Sequence, residues 1–201
     1  MIIELTTPGT ALYGKVADFA CQRYVERIFA LTPARPDAFA YAASLHSGVI
    51  FGCLGLHKAK EKESLLIEKY VPNVFERIAG EIPERKACAE LGTRAVLPYR
   101  DISTTELSLG LSAVLLLHAH RQGLRYFGFT SIRTVRHLAG QLRLDLITFG
   151  KPELSGFDGE FRENWREFFR IRQCCFGFQL HTIDGCAQIL ECLERKGVCS
   201  K

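Results

Sequence analysis

Within residues 18–30 (DFACQRYVERIFA), apolar side chains return at Phe19, Tyr24, Ile28 and Phe29 with arginine and glutamate between them. This is the spacing of one face of an amphipathic helix, which ends near Pro33. The period then changes. Residues 39–45 and 49–56 are apolar, strand-like runs joined by His46-Ser47-Gly48, a hairpin signal, and Gly52 and Gly55 predict a bulge or close backbone approach in the second run. Residues 65–71 (LLIEKYV) predict a short strand or extended piece, and Asn73 a cap for a helix over VFERIAG. Residues 86–97 (KACAELGTRAVL) are small and apolar enough for a buried central strand. A polar loop leads into an apolar helix that ends at His120, with Gly123 as its stop. Residues 125–132 then read as a strand, 133–142 as a helix and 143–150 as another strand. Strands alternating with helices imply an α/β fold whose mixed sheet has its later strands parallel and joined by right-handed crossovers.

Composition narrows the classes. With 201 residues, 47% of them hydrophobic, the chain can bury a substantial core, and its length favours one domain over residues 1–201. The 26 basic and 22 acidic residues are mixed along the chain, so the net charge of +4 forms no block that would neutralise a run of phosphates. Nucleic acid is therefore not expected as a partner, whereas an anionic cofactor or an acidic carrier protein suits a modest basic excess as well as a solvated surface does. The N-terminal stretch has neither a basic leader nor a secretory apolar segment, and the longest apolar run, residues 109–117, is far short of the ~20 residues that span a bilayer. A soluble, cytoplasmic protein without membrane association is expected. The 8 cysteines are scattered, without a Cys-x-x-Cys pair or a zinc-like Cys/His spacing, and His118 and His120 point different ways on a helix. Reduced thiols and no metal site are expected.

The order hairpin, strand, helix, strand, helix, strand is similar to that of the GNAT acyltransferase superfamily. Four segments add to this. ELGTRAV, beginning at Glu90, resembles the Glu-Val-Gly-Asn-Leu-Ala strand of the thermostable haemolysin family. LLIEKYVPNVFERI resembles that family's Phe-Leu-Glu-x-Tyr-Leu-x-x-x-Ile-Glu element, and residues 129–146 its Phe-Thr-x-Thr strand, helix and Leu-Gly-Leu segment. WREFF, Trp165 to Phe169, sits where the family carries Trp-Gly-x-Tyr-Tyr. The resemblance runs from about Tyr24 to Leu190, and a more distant one extends to the acyl-homoserine-lactone synthases. It implies a GNAT-like mixed, partly splayed sheet with helices on both faces. It also implies transfer of an acyl group from an acyl carrier protein or coenzyme A thioester to a small amine, with acyl-CoA or acyl-phosphopantetheine as cosubstrate and no permanently bound cofactor.

Glu90 stands inside an otherwise apolar strand, where a carboxylate is costly unless it meets a cation or works as an acid or base. Glu90 and Arg94 are the candidate catalytic residues: the lactone synthases' Glu-x-Ser-Arg strand implies that Glu90 helps deprotonate the attacking amine. The structural alternative pairs Glu90 with Arg94, four positions on and on the same face of a regular strand. Gly92 between them fits a bulge which, by the resemblance, splays two strands and exposes backbone to a pantetheine arm. Ser103-Thr104-Thr105-Glu106 is a capping-box pattern that starts a helix, whose free N–H groups suit a phosphate. Gly92, Thr93, Arg100, Ser103, Thr104 and Thr105 are therefore candidate cofactor-binding residues. The superfamily's loop glycines are missing here, which favours a carrier protein over coenzyme A; alternatively the box is satisfied by its own Ser and Glu, and Asp101 and Glu106 repel phosphate. Ala139 falls where the superfamily's acid tyrosine belongs, with His137 as neighbour. Thr130, Trp165, Phe168 and Phe169 are candidates for a substrate pocket, or for core. A membrane-active protein and a non-catalytic binding domain on the same fold are the competing functions.

Overall fold

A computed structural model describes residues 1–27, 34–132, 135–155, 162, 166 and 173–200. In chain order the elements are Ile2–Thr6 (β1), Ala11–Arg27 (α1), Ala38–Ala43 (β2), Ile50–Lys58 (β3), Leu66–Tyr70 (α2), Val74–Ala79 (α3) and Cys88–Val96 (β4). Thr104–Arg121 (α4), Tyr126–Ile132 (β5), Val135–Gln141 (α5), Ile147–Gly150 (β6), Gln173–Gln179 (β7), Asp184–Arg195 (α6) and Cys199–Ser200 (β8) follow. The strands form one mixed sheet in the order β6-β7-β5-β4-β3-β2-β1-β8. Only β4 with β5 and β1 with β8 run parallel among these pairs.

Strand alternation sorts the side chains onto two covered faces. Ala38, Ala40 and Ala42 turn one way, and their small size lets α4 lie close with Leu107, Leu111 and Leu115 fully buried. Each such leucine contributes about 1.5–3 kcal/mol of burial. Helix α6 packs beside α4 at Gly110, where a Cβ would stand 2.5 Å from Ile3 of β1 and 2.7 Å from Leu193. Phe39, Tyr41 and Ala43 turn the other way and pack under Val16 and Ala20 of α1. On this second face α2 and α3 sit over glycines: a Cβ on Gly128 would lie 2.8 Å from Ile67, and one on Gly177 2.4 Å from Ile78.

The α/β class, the 39–56 hairpin, and the parallel central strands joined by α4 match the sequence reading. Three expectations change. Residues 65–71 form a short helix instead of a strand, because a tertiary contact caps it, as described below. The strand at 147–150 does not lie beside β5: β7 enters between them, antiparallel to both. Helix α1 begins at Ala11, well before the expected Asp18, while Ile28, Phe29 and Ala30 lie outside the described residues.

Candidate functional site

The site is built around an irregularity in β4. Gly92 pairs with Gly55 and Ala95 with Cys53, so Thr93 and Arg94 together stand opposite Leu54 alone. Thr93 absorbs this bulge with a φ of 49°, a left-handed backbone that costs free energy for a β-branched residue. The extra residue reverses the alternation. Glu90 faces α2, but Arg94 turns to the α4 side and donates from Nη2 to Ser108 Oγ at 2.6 Å. The Glu90–Arg94 ion pair expected of a regular strand is therefore corrected: the two side chains occupy opposite faces of the sheet.

Just before the bulge the pairing of the central strands ends. The β4–β5 ladder runs from Cys88↔Tyr126 to Leu91↔Phe129 and stops, although the strands continue to Val96 and Ile132. The first turns of α4 flank this opening, since Ser108, held by Arg94, donates in turn to the Thr104 carbonyl at 2.5 Å. On the other wall β5 is backed by β7, with Thr130 opposite Cys175. Thr130 shares the face of Gly128 by strand alternation.

Glu90 is 6% exposed, between His57 of β3 and Gly128 of β5 in the register. Its Oε2 accepts the Ile67 N–H at 3.0 Å, within the first turn of α2. Leu65 at the start of that helix has no side-chain acceptor, so Glu90 caps α2 from the strand beneath it. Burial pushes the Glu90 carboxyl up to about 7; backbone N–H groups of Ile67 and Leu66 pull the other way, and the Glu68 carboxylate adds to the rise. His57 is half-buried, and its Nε2 lies 3.1 Å from Thr93 Oγ1. Its ring lies over Gly92, where a Cβ would stand 3.6 Å from Cδ2 and Nε2. Burial lowers its pKa to about 4 against the opposing pull of Asp37, so the imidazole is neutral at neutral pH.

Thr93 also lines a small cavity of about 100 Å³ beneath α1, together with Ala17, Asp18, Cys21, Arg35 and Pro36. Tyr13 fixes its wall by donating to the Pro36 carbonyl at 2.6 Å, and Gly55 makes room for that proline: a Cβ there would come within 2.8 Å of its ring. A second, open depression of about 510 Å³, lined by Ala59, Lys60, Glu61, Glu84, Arg85 and Lys86, lies at the opposite end of β4. Its Arg85 is engaged by Glu68 and by the Lys60 and Glu63 carbonyls.

At the start of α4 the capping box is closed as the sequence indicates. Ser103 Oγ accepts from the Glu106 N–H at 3.2 Å, and Glu106 Oε2 accepts from the Ser103 N–H at 2.9 Å and from its hydroxyl at 2.8 Å. Lys196 of the segment after α6 pairs with Glu106 Oε1, and with Ser103 holds that carboxyl down at about 2. Thr104 and Thr105 are exposed on the same turn. Arg100, also at a φ of 49°, lies with its guanidinium 5.3 Å from the Tyr99 ring.

Glu90, Gly92 and Thr93 thus come together on the α2 side, while Arg94 joins the α4 side with Ser103, Thr104 and Thr105. Trp165, Phe168 and Phe169 lie outside the described residues. His137 is exposed beside Gln141, and Ala139 is buried. His57, Asp18, Arg35 and Pro36 were not read from sequence. The signal for His57 was a histidine directly following an apolar hairpin strand, whose register with β4 only the fold supplies. Among the described residues no group of three or more His, Cys, Asp or Glu side chains gathers to hold a metal, and no helix is long and apolar enough to cross a membrane.

No known family profile matches the chain, and no curated protein matches it. Solved structures do. The CoA-dependent acyl-homoserine-lactone synthase MesI aligns with a TM-score of 0.58 at 18% identity, over 96% of this chain and 95% of its own. The acyl-homoserine-lactone synthase LasI gives 0.60 at 13% identity, over 89% and 88%. BjaI, a CoA-dependent synthase solved with SAM and isopentyl-CoA, gives 0.61 at 15% identity, over 99% and 92%. At such identities the likeness is one of fold. The chain shares the fold of these synthases, a GNAT-like mixed, open sheet with helices on both faces. The resemblance to thermostable haemolysins is carried by none of these matches.

Proposed function

We propose that the chain, as one domain, is an N-acyltransferase that takes an acyl group from a pantetheine thioester lying between the parted ends of β4 and β5. A small amine, admitted from the cavity under α1, attacks the thioester carbonyl. The observation that carries this reading is that the two parallel strands stop pairing after Leu91 and Phe129, just before the Thr93 bulge. A pantetheine arm is an extended chain with two amides, and two facing strand edges offer it backbone donors and acceptors. Backbone N–H groups between Gly92 and Arg94 stabilise the oxyanion, and Glu90, whose carboxyl burial raises to about 7, takes the proton that an ammonium acceptor must lose. The SAM and acyl-CoA of the similar synthase BjaI support an acyl donor and an amine acceptor for this fold.

A carrier protein is the favoured donor over coenzyme A. The start of α4, which would otherwise face a diphosphate, already holds the Glu106 carboxylate, and a second anion there meets repulsion. The four motif resemblances support placing the chain among the thermostable haemolysins within this fold. A non-catalytic thioester-binding domain is the second reading, favoured by the engagement of Glu90 with α2. The deciding experiment incubates the purified protein with acyl carrier protein and coenzyme A thioesters and a panel of amines, following thiol release and product mass. Amide formation above the uncatalysed rate is expected. Tight pantetheine binding without any transfer would replace the enzyme by the binding domain, and lysis of liposomes without thioester would point to a membrane-active protein.

A further inference from the structure

The contact between His57 and Thr93 has no part in the chemistry above, yet four features converge on it. Thr93 keeps a left-handed backbone that a glycine would adopt more easily, at the one position in β4 where the strand is bulged. Its hydroxyl lies 3.1 Å from the His57 ring nitrogen, and Thr93 also lines the cavity with Pro36 and Asp18. The ring rests over Gly92 at ordinary contact distance, 3.6 Å from where a Cβ would stand. Finally, His57 stands opposite Glu90 in the β3–β4 register, which brings the carboxylate position beside the His57–Thr93 contact.

We propose that His57 is a positioning residue that acts through the Thr93 hydroxyl to aim the acceptor amine, an inference that rests on the acyltransferase reading. Nε2 accepts the Thr93 O–H, which turns the Oγ lone pairs toward the cavity. There they accept one N–H of the amine and leave the nitrogen lone pair directed at the thioester carbonyl. The C–N bond forms, the C–S bond breaks, and the proton lost by nitrogen ends on the departing sulfur. His57 starts and finishes neutral. Asp37, which favours its protonated form, and Lys60, which opposes it, are the charges acting on the ring beside the carboxyl of Glu90, and burial outweighs them.

Steady-state kinetics of the full chain test this with Thr93→Val, Thr93→Ser, His57→Phe, His57→Gln and the double variant Thr93→Val/His57→Phe, each checked by a thermal melt. Thr93→Val and His57→Phe are expected to lower kcat/KM for the amine by roughly tenfold to a hundredfold, with KM for the thioester unchanged. Thr93→Ser and His57→Gln, which keep a hydroxyl and an acceptor, recover most of that loss even if the apolar variants fold poorly. The double variant should be no worse than Thr93→Val alone, since one residue acts through the other. An amine kcat/KM at the wild-type level in both apolar variants, or losses that multiply in the double variant, would overturn the assignment while leaving the acyltransferase intact. Wild-type protein that transfers no acyl group would instead remove the enzyme reading, and this inference with it.

Discussion

A carboxyl group that is 6% exposed and receives a helix N–H answers to both chemistry and folding, and substitution separates the two at Glu90. Glu90→Gln keeps an oxygen for the Ile67 N–H, so at about pH 4, where both side chains are neutral, the melting temperature should change little, while transfer at neutral pH falls by roughly a hundredfold if the carboxylate is the base. Glu90→Ala leaves that N–H without its acceptor and should cost about 1–3 kcal/mol. The pH dependence has a definite sign. Because the folded value, about 7, lies above the ordinary 4.5, folding favours the protonated form. The associated stability, on the order of 3 kcal/mol, is fully present below the ordinary value and is lost as pH rises through the folded one. Melts between about pH 4 and pH 8 should therefore show Glu90→Gln gaining on wild type as pH rises; parallel curves would show that Glu90 is as solvated when folded as when unfolded. Glu90 itself was legible, since a lone carboxylate in an apolar strand is conspicuous. Its partner was not: counting four residues to Arg94 assumes a regular strand, and a bulge changes the parity of every side chain after it.

At the scale of elements, α2 shows why a short segment resists reading. A five-residue helix has too few internal hydrogen bonds to be stable alone, so its state is settled by Glu90 and by docking on β5. Gly128→Ala tests the docking. The added methyl would meet Ile67, 0% exposed, at 2.8 Å and should cost about 1–3 kcal/mol, seen as a lower denaturant midpoint. Gly140→Ala, on an exposed position of α5 with nothing within 4 Å, should instead stabilise by about 0.5–1 kcal/mol. Equal effects at both positions would show that helix propensity, and not close approach, decides them. Helix α4 was readable for the opposite reason: its Ser103 to Glu106 box and long apolar run are local signals, and both ends fall where they indicate.

For the molecule as a whole, local patterns located the central strands and their crossover but not the insertion of β7 between β5 and β6. Strand order depends on contacts between distant segments, and a strand in the last third of the chain carries no mark of where it will pair. The same order has a further result. An open sheet has two outer edges, and unpaired backbone at an edge recruits other chains. The divergence after Leu91 and Phe129 gives this sheet two more edges, facing each other in its interior with α4 along one flank. A slot between such edges sorts its guests by girth, accepting a slim extended chain and refusing a bulky one whatever its sequence. Short peptides of glycine and alanine should therefore inhibit acyl transfer in competition with the thioester, and valine or leucine peptides of the same length should not. Inhibition by both kinds alike would mean that the slot is wider than its strands suggest, and selects by something other than thickness.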